Sequence, residues 1–462
     1  MIRLENLRHV ASDGIPLLNG ITLSIGRGER TGLIGPSGSG KTTLGYHLCG
    51  IHDRVLTGRS EGRIRLAGQE PGSGRRHGFA GLVMQNPEPQ LFGQTVEEEI
   101  GLGLENLGRT PREVRAAVDR LLDLMDLAPL RKARIDSLSL GLKQRLSIAA
   151  MLAMKPRVLF LDEPTNFLDQ PSADRLFALL RRLEPDVTVI IAEHDLERLA
   201  AWATRIIALE RGGITADGPP GSVLAGRRHP LETVPRVPRA EPLGEPLLTA
   251  TNLVYAHGKT TVLDGVSLAV HPGEIVAVTG VNGSGKTTLL HLLKGLLKPR
   301  SGEAWMADGL PLMESVGLVF QNPDEQIFAA TVAEECGYLL RNRRVPETER
   351  VSRTLAALRG MGLENKAERL PLTLSYGEKR RLALASILVG DPRVLCLDEP
   401  TAALDDAGLR GLIRIFSRLA GEGRGIVFAT HDHRFARAAA TRRIVLHAGR
   451  LIANLPARRE AA

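Results

Sequence analysis

The feature that most constrains this chain is an internal repeat. GPSGSGKTT at 35–43 recurs as GVNGSGKTT at 280–288, QNPEPQLFGQTVEEE from Gln85 as QNPDEQIFAATVAEE from Gln321, LSLGLKQRLSIA at 138–149 as LSYGEKRRLALA at 374–385, and RVLFLDEPTNFLD at 157–169 as RVLCLDEPTAALD at 393–405. IIAEHDLE at 190–197 answers VFATHDHR at 427–434. The copies are 245 residues apart at the first motif (35 to 280) and 236 apart at the next three (85 to 321, 138 to 374, 157 to 393). Nine residues (245 − 236) are therefore lost from the second copy between the Gly-rich loop and the QNP stretch. A repeat of about 220 residues is a duplicated domain, since solenoid modules run to roughly 20–50. A chain of 462 residues also exceeds what one hydrophobic core organises.

The seam shows in composition. Seven prolines lie from Pro219 to Pro246 among Arg227, Arg228, Arg236 and Arg239, and hydrophobic periodicity stops there. The expected organisation is a domain at 1–225, a Pro/Arg-rich linker at 226–245 and a second domain at 246–462. ERTGLIG and EIVAVTG are apolar runs that feed a Gly-rich loop, as buried strands do before a helix, and VLFLD, TVIIAEH, VLCLD and GIVFATH read the same way. REVRAAVDRLLDLM puts Val114, Val118, Leu121, Leu122 and Met125 on one helical face. The alternation predicts an α/β fold around mainly parallel sheets, with the ligand at the carboxyl ends of the strands.

Composition narrows the classes. Aromatics make up 3% of the chain, which argues against a base-stacking RNA surface, and the net charge of +8 permits anionic partners without requiring one. Cys49, Cys336 and Cys396 have no metal-ligand spacing and read as thiols of a reducing compartment. No stretch reaches the ~20 apolar residues that span a bilayer, and MIRLENLRHV lacks a signal-peptide core. The expectation is a cytoplasmic protein whose membrane role, if any, comes through a partner.

GxxxxGKT after an apolar strand is a phosphate cradle, with backbone N–H groups turned inward at a helix N-terminus. Lys41 and Lys286 would reach the β- and γ-phosphates, and Thr42 and Thr287 would coordinate Mg²⁺. A flexible loop with a chance lysine is the competing reading, and the second copy weakens it. Asp162 and Asp398 end apolar strands and would hold Mg²⁺ through water, while Glu163 and Glu399, one residue on, suit a general base for the attacking water. Two adjacent acids could instead be a solvated turn. His194 and His431 follow the next apolar run and suit a γ-phosphate contact, against an ordinary structural role.

The ordered set of Gly-rich loop, Gln, LSxG, LDEP, LD and His resembles the nucleotide-binding domain of ABC ATPases, twice over and across nearly the whole chain. The resemblance implies two tandem P-loop domains, each a mainly parallel sheet core with a helical subdomain and an antiparallel β subdomain. ATP would be bound by Gly35, Pro36, Ser37, Gly38, Ser39, Gly40, Lys41, Thr42 and Thr43, and by Gly280, Val281, Asn282, Gly283, Ser284, Gly285, Lys286, Thr287 and Thr288. The halves would pair head to tail, each ATP also meeting Ser139 and Gly141, or Ser375 and Gly377, of the other half. Leu140 and Leu142, and Tyr376 and Glu378, depart from the family signature LSGGQ, so the site of Lys286, served by LSLGL, is expected to be the slower. Gln85 and Gln321 would contact Mg²⁺ and the attacking water, and Asp169 and Asp405 would lie at the domain interface. Tyr255 stands at the adenine-stacking position; His9 occupies the matching place, as a weaker stacker or as an exposed loop residue.

QNPxxQxFxxTVxEE, with LENLGRTPREV after the first copy, more narrowly resembles the ATPases of energy-coupling factor transporters, importers of vitamins and transition-metal ions. That implies an ATP-hydrolysing subunit, peripheral on the cytoplasmic membrane face, bound to a transmembrane scaffold and a small substrate-binding membrane protein, with no nucleic acid partner. Leu91, Phe92, Ile327 and Phe328 are the candidate anchors for a membrane-subunit helix, unless the phenylalanines are ordinary core residues. A tandem ATPase of ribosomes would carry a longer charged interdomain arm or a Cys-rich region, and a sugar-importer ATPase would lack QNPDEQIF. Cargo specificity would reside in another protein.

Overall fold

Runs such as VLFLD and TVIIA are buried at every position because both of their faces are covered, as happens in a parallel sheet with layers on either side. The computed structural model describes residues 2–66, 79–166, 168–225, 244–402, 404 and 406–456. It divides into two units, Met1–Arg227 and Arg228–Ala462. Of the expected linker, Gly244 and Glu245 fall within the described residues and 226–243 outside them.

In the first unit, Ala80–Val83, Val158–Asp162, Thr188–Ala192, Arg30–Ile34 and Arg205–Glu210 pair in that order, all parallel, and Gly213–Gly218 adds an antiparallel edge. A separate antiparallel sheet has the order Pro16–Ile25, Ile2–Ala11, Gly58–Leu66. The second unit repeats both, with Val316–Val319, Val394–Asp398, Gly425–Thr430, Ile275–Thr279, Arg442–His447 and Arg450–Pro456 in one sheet and Thr260–Val270, Leu248–His257 and Ser301–Met306 in the other. All six apolar runs read as buried strands are strands.

Side-chain alternation along each strand sorts the core into two layers. In the first unit Leu159, Leu161, Val189 and Ile191 face the helices, whereas Val158, Phe160, Ile190 and Ala192 face the antiparallel sheet and the helix Lys41–Cys49. The helical region comprises Val96–Asn106, Pro111–Leu124 and Leu140–Ala153, matched by Val332–Asn342, Glu347–Gly360 and Tyr376–Leu388. Thr95 with Glu98 and Thr110 with Glu113 form capping boxes that satisfy the first N–H groups of their helices. Val118, Leu121, Leu122 and Met125 are buried, the face the periodicity predicts.

The copies pack equivalent helices differently. A Cβ on Gly45 would lie 2.5 Å from the ring of the fully buried Phe160. The matching positions of the second unit hold Leu290 and Cys396, both fully buried in one cluster. Large and small have changed places between helix and strand, conserving volume. Phe160→Cys alone should cost about 3 kcal/mol and Gly45→Leu alone about 1–3 kcal/mol. The double variant should cost clearly less than the sum, read from urea or thermal midpoints; strict additivity would refute the exchange.

Candidate functional site

Each Gly-rich loop leaves the central strand and enters a helix, and backbone geometry explains its glycines. Gly35 and Gly280 have φ of 155° and 157°, and a Cβ there would lie 2.2 and 2.3 Å from the carbonyl oxygens of Leu209 and Leu446. Gly40 and Gly285, at φ 99° and 101°, are the N-caps of Lys41–Cys49 and Lys286–Lys294 and offer no side chain to the first-turn N–H groups. Those donors and the helix dipole remain available to an anion. Lys41 Nζ donates to Gly35 O at 2.8 Å and Pro36 O at 3.2 Å, and Lys286 Nζ to Gly280 O at 2.9 Å and Val281 O at 3.3 Å. Each lysine is thus folded back across its own loop. Ser37, Ser39, Thr43, Asn282, Ser284 and Thr288 complete these loops and first turns, with Gly38 and Gly283 at φ 75° and 78°.

Beside the loops lie buried carboxylates. Thr42 Oγ1 donates to Asp162 Oδ2 at 2.6 Å, and Thr287 Oγ1 to Asp398 Oδ2 at 2.7 Å. Glu163 and Glu399 hold positive φ, 47° and 45°, and their N–H groups donate to Ala192 O and Ala429 O at 2.8 and 2.9 Å. This left-handed turn is uncommon for a side-chain-bearing residue and fixes the carboxylate on the loop side of the strand end. Lys41 Nζ and Lys286 Nζ stand 3.9 and 3.8 Å from Glu163 Oε1 and Glu399 Oε1.

The two glutamates are held differently. Glu163 accepts from Gln85 Nε2 at 2.6 Å and Asn166 Nδ2 at 2.7 Å, and His194 Nε2 lies 2.8 Å away. Glu399 meets His431 Nδ1 at 3.0 Å and the His431 N–H at 3.3 Å. Among the described hydrogen bonds the Gln321 side chain makes none to Glu399; the backbone carbonyl of Gln321 accepts from Arg380 and Tyr376 instead. Ala402 occupies the place of Asn166.

Burial pushes the Asp162 carboxyl up, the charge of Glu163 adds to this, and it settles at about 6. Asp398 also reaches about 6, raised by burial and opposed by Thr287. Burial pushes Glu163 upward too, but the hydrogen bond and charge of His194, with Lys41 and Asn166, outweigh it and hold it at about 2. For Glu399 the upward push of burial is overcome by His431 and Lys286. Burial lowers both histidines, and the partner glutamates more than reverse this.

Ser139 and Ser375 are the N-caps of Leu140–Ala153 and Tyr376–Leu388, accepting from the N–H groups of Leu142 and Glu378, each at 3.4 Å. With Gly141 and Gly377 they stand at exposed or half-exposed helix starts, and neither serine bonds to the carboxylate cluster of its own unit. Asp169 caps Gln170–Leu180 through Ser172 N at 3.0 Å, and Asp405 lies outside the described residues. The two readings of His9 both need correction. It is 2% exposed, with Nδ1 2.9 Å from Ser60 Oγ and its ring 5.4 Å from that of His47, so it is neither a surface stacker nor an exposed loop residue. His47, itself held down to about 3 by burial, lies on the helix after the Gly-rich loop, a neighbour that local sequence does not show. Tyr255 is half-buried against the core of the second unit.

Sequence reasoning also missed Glu193, which is 2% exposed and accepts from the N–H groups of His194 and Thr165 at 2.8 and 3.3 Å. The signal for it was comparative, because Thr430 stands at the matching place.

Several polar side chains of the QNP segment and of the helix after it hold the local backbone. Gln90 accepts from Met84 N at 2.7 Å and donates to Leu82 O at 2.9 Å, and Gln326 accepts from Phe320 N at 3.2 Å. Asn86 and Asn322 each accept from an N–H two residues on, at 3.1 Å. Glu99 Oε2 accepts from Phe92 N and Gly93 N at 2.8 and 2.7 Å, and Glu335 Oε2 from Phe328 N and Ala329 N at 2.9 and 2.8 Å. The phenylalanine side chains are left 76% and 66% exposed, which rules out the core reading, while Leu91 and Ile327 pack inward.

The ABC transporter family profile matches residues 18–166 and 263–402, spanning both cradles and both carboxylate pairs. The chain belongs to this family. A protein of Methanosarcina acetivorans named "Putative ABC transporter ATP-binding protein" is 34% identical over 98% of this chain and 90% of its own length. "Putative HMP/thiamine import ATP-binding protein YkoD" of Bacillus subtilis is 31% identical over 94% and 87%. The archaeal ribosome recycling factor aABCE1, solved with the ribosomal stalk protein aP1, shares the fold over 98% of this chain and 90% of that one, with a TM-score of 0.65 at 21% identity. Each unit is thus an α/β ABC ATPase domain, which binds ATP and hydrolyses it.

The titrations set a pH dependence for the ABC ATPase free of metal. Asp162 and Asp398 have folded values of about 6, above the unfolded carboxylate, so their penalty is relieved as pH falls through about 6. The raised histidines act in the same direction, whereas the contribution of Glu163, held at about 2, is lost only in stronger acid. Stability in chelator should therefore rise as pH falls from about 7.5 to about 5.5, by on the order of 1 kcal/mol per aspartate, read as an upward shift of the thermal midpoint. An Asp162→Asn, Asp398→Asn variant should show a flatter profile, and an unchanged slope would contradict the assignment.

Proposed function

We propose that this chain is the ATP-hydrolysing, energy-coupling subunit of a membrane importer of the energy-coupling factor type, serving a vitamin or a transition-metal ion. The observation that carries this reading is the QNP segment of each unit, whose polar side chains hold the loop while Phe92 and Phe328 stay in solvent. A rigid loop with an exposed aromatic suits the reception of a helix from a membrane subunit, and the phenylalanines with Leu91 and Ile327 are its proposed anchors. The relative named for HMP/thiamine import supports an importer. Among the described residues no helix is long and apolar enough to cross a membrane, so attachment to its cytoplasmic face would come through a scaffold subunit, with a small membrane protein capturing the cargo.

In the proposed chemistry Lys41 and Lys286 leave their loop carbonyls to donate to the β- and γ-phosphates, within the N–H donors of residues 35–43 and 280–288. Mg²⁺ fits beside them: Asp398 Oδ1 is buried without a hydrogen bond, and each threonine hydroxyl already meets the other carboxylate oxygen. Thr42, Asp162 and Gln85, and Thr287, Asp398 and Gln321, would hold it. When bound, Mg²⁺ supplies the charge that offsets the phosphates. Glu163 and Glu399 take the proton of the attacking water, and His194 and His431 turn from them to the γ-phosphate. Head-to-tail pairing brings Ser139 and Gly141, or Ser375 and Gly377, to the other half's nucleotide, with Asp169 and Asp405 between the sites. The differential affinity of ATP for the closed pair is what moves the membrane partner.

Affinity purification of the tagged chain from detergent-solubilised membranes should recover one polytopic scaffold and a small hydrophobic protein. Phe92→Asp and Phe328→Asp should each reduce that recovery at least about tenfold, the loss expected of an interface anchor, with ATP binding retained. Ribosomal proteins in place of membrane subunits would overturn the importer reading.

The two signatures make the sites unequal. LSLGL serves the site of Lys286, so Lys286→Ala should leave more residual ATPase than Lys41→Ala. Equal residual rates would reject that ordering.

A further inference from the structure

The helix Tyr376–Leu388 carries a guanidinium that is 8% exposed, Arg380. Its Nη2 donates to Glu399 O at 2.6 Å and to Gln321 O at 3.1 Å, and its Nη1 to Ala402 O at 2.7 Å. The Tyr376 ring lies 5.6 Å from the guanidinium carbon, and the Tyr376 hydroxyl donates to the same Gln321 carbonyl at 3.3 Å. One rigid cation thus ties three segments to the signature helix: the start of the QNP loop, the strained turn of Glu399 and the turn after it. Among the described residues of the first unit there is no such tie. Gln144 stands at the matching position, fully buried, with neither its amide nitrogen nor its oxygen hydrogen-bonded. There Gln85 and Asn166 reach the Glu163 carboxylate directly.

We propose that Arg380 is a positioning residue for ATP hydrolysis in the second unit, holding the backbone of Glu399 and Gln321 so that the Glu399 carboxylate meets the attacking water. The guanidinium fork matches three carbonyls that a lysine could not bridge together. Because Glu399 sits at φ 45°, its side-chain direction depends on what pins the turn, and the Arg380 bond to its own carbonyl is part of that pin. The two units therefore hold equivalent carboxylates by different means: a cation on the backbone in one, neutral amides on the side chain in the other.

The inference rests on Glu399 acting as the general base. The test uses the full chain carrying Glu163→Gln, whose remaining turnover comes from the second unit, and compares Arg380→Gln with Arg380→Lys. Glutamine is the residue the first unit already folds with at this place. Phosphate release gives kcat and KM, and equilibrium binding of a fluorescent ATP analogue gives affinity. Arg380→Gln should lower kcat roughly 10- to 100-fold, the scale expected for a displaced reacting group, with affinity within about twofold, and Arg380→Lys should fall between. An unchanged kcat, or equal losses of kcat and affinity, would overturn the proposal. Should Arg380→Gln not fold, Arg380→Lys decides by the same split. ATP hydrolysis by a Glu163→Gln, Glu399→Gln chain would reject the general-base reading itself, whatever Arg380 does.

Discussion

Everything at the two candidate sites depends on parallel strands ending in step. In the first unit Leu33 and Asp162 both lie opposite Ala192, so the Gly-rich loop, the Glu163 turn and the Glu193–His194 pair leave the sheet at one edge. In the second, Val278 and Asp398 both lie opposite Ala429. A one-residue slip would turn every side chain of a strand to the other layer, placing Asp162 in the apolar core and an apolar residue at the loop. The cost of placing the strand-end acid among apolar side chains opposes that slip. The hydrogen bonds from Thr42 to Asp162 and from Thr287 to Asp398 then tie the first helix of each unit to the neighbouring strand end.

That edge gives two adjacent acids opposite shifts. Asp162 is raised to about 6 and Glu163 held at about 2, although one peptide bond separates them. The backbone turn accounts for the difference. Positive φ at Glu163 swings its carboxylate toward His194, Gln85 and Asn166, while Asp162 continues the strand and meets mainly a hydroxyl. The separation belongs to the metal-free site, where Asp162 is the better proton acceptor of the two, and a cation beside Asp162 would bring its carboxyl down as well.

Much of this was legible in the sequence because the fold relies on local rules. Apolar runs became strands, and the glycines of the phosphate loops mark places where a Cβ would strike a carbonyl. What stayed hidden depends on contacts between distant segments. His9 is buried because His47, on another element, covers it. Gln85 and Gln321 are the same residue in the same motif, yet one offers its side-chain amide to the Glu163 carboxylate and the other has its backbone carbonyl drawn to Arg380 and Tyr376, more than 50 residues on. Single-copy pattern reading has no access to such differences. Comparing the two copies does, because each substitution marks a place where the same backbone was stabilised another way.

Those substitutions fall in compensated sets. Gly45 and Phe160 against Leu290 and Cys396 preserve core volume. Asn166 with Gln144 against Ala402 with Arg380 shifts the support of the turn at Glu163 and Glu399 from side chain to backbone. Fusion offers a physical reason why such drift persists. Two copies in one chain are made in equal number and kept at a high effective concentration of one for the other, so neither needs to pair with a copy of itself. Each half is then free to keep the chemistry at the strand ends while changing how that chemistry is held. Differences between the units should accordingly gather one layer behind the phosphate loop, the strand-end acids and the histidines, and that is where Glu193, Thr430, Gln144 and Arg380 lie.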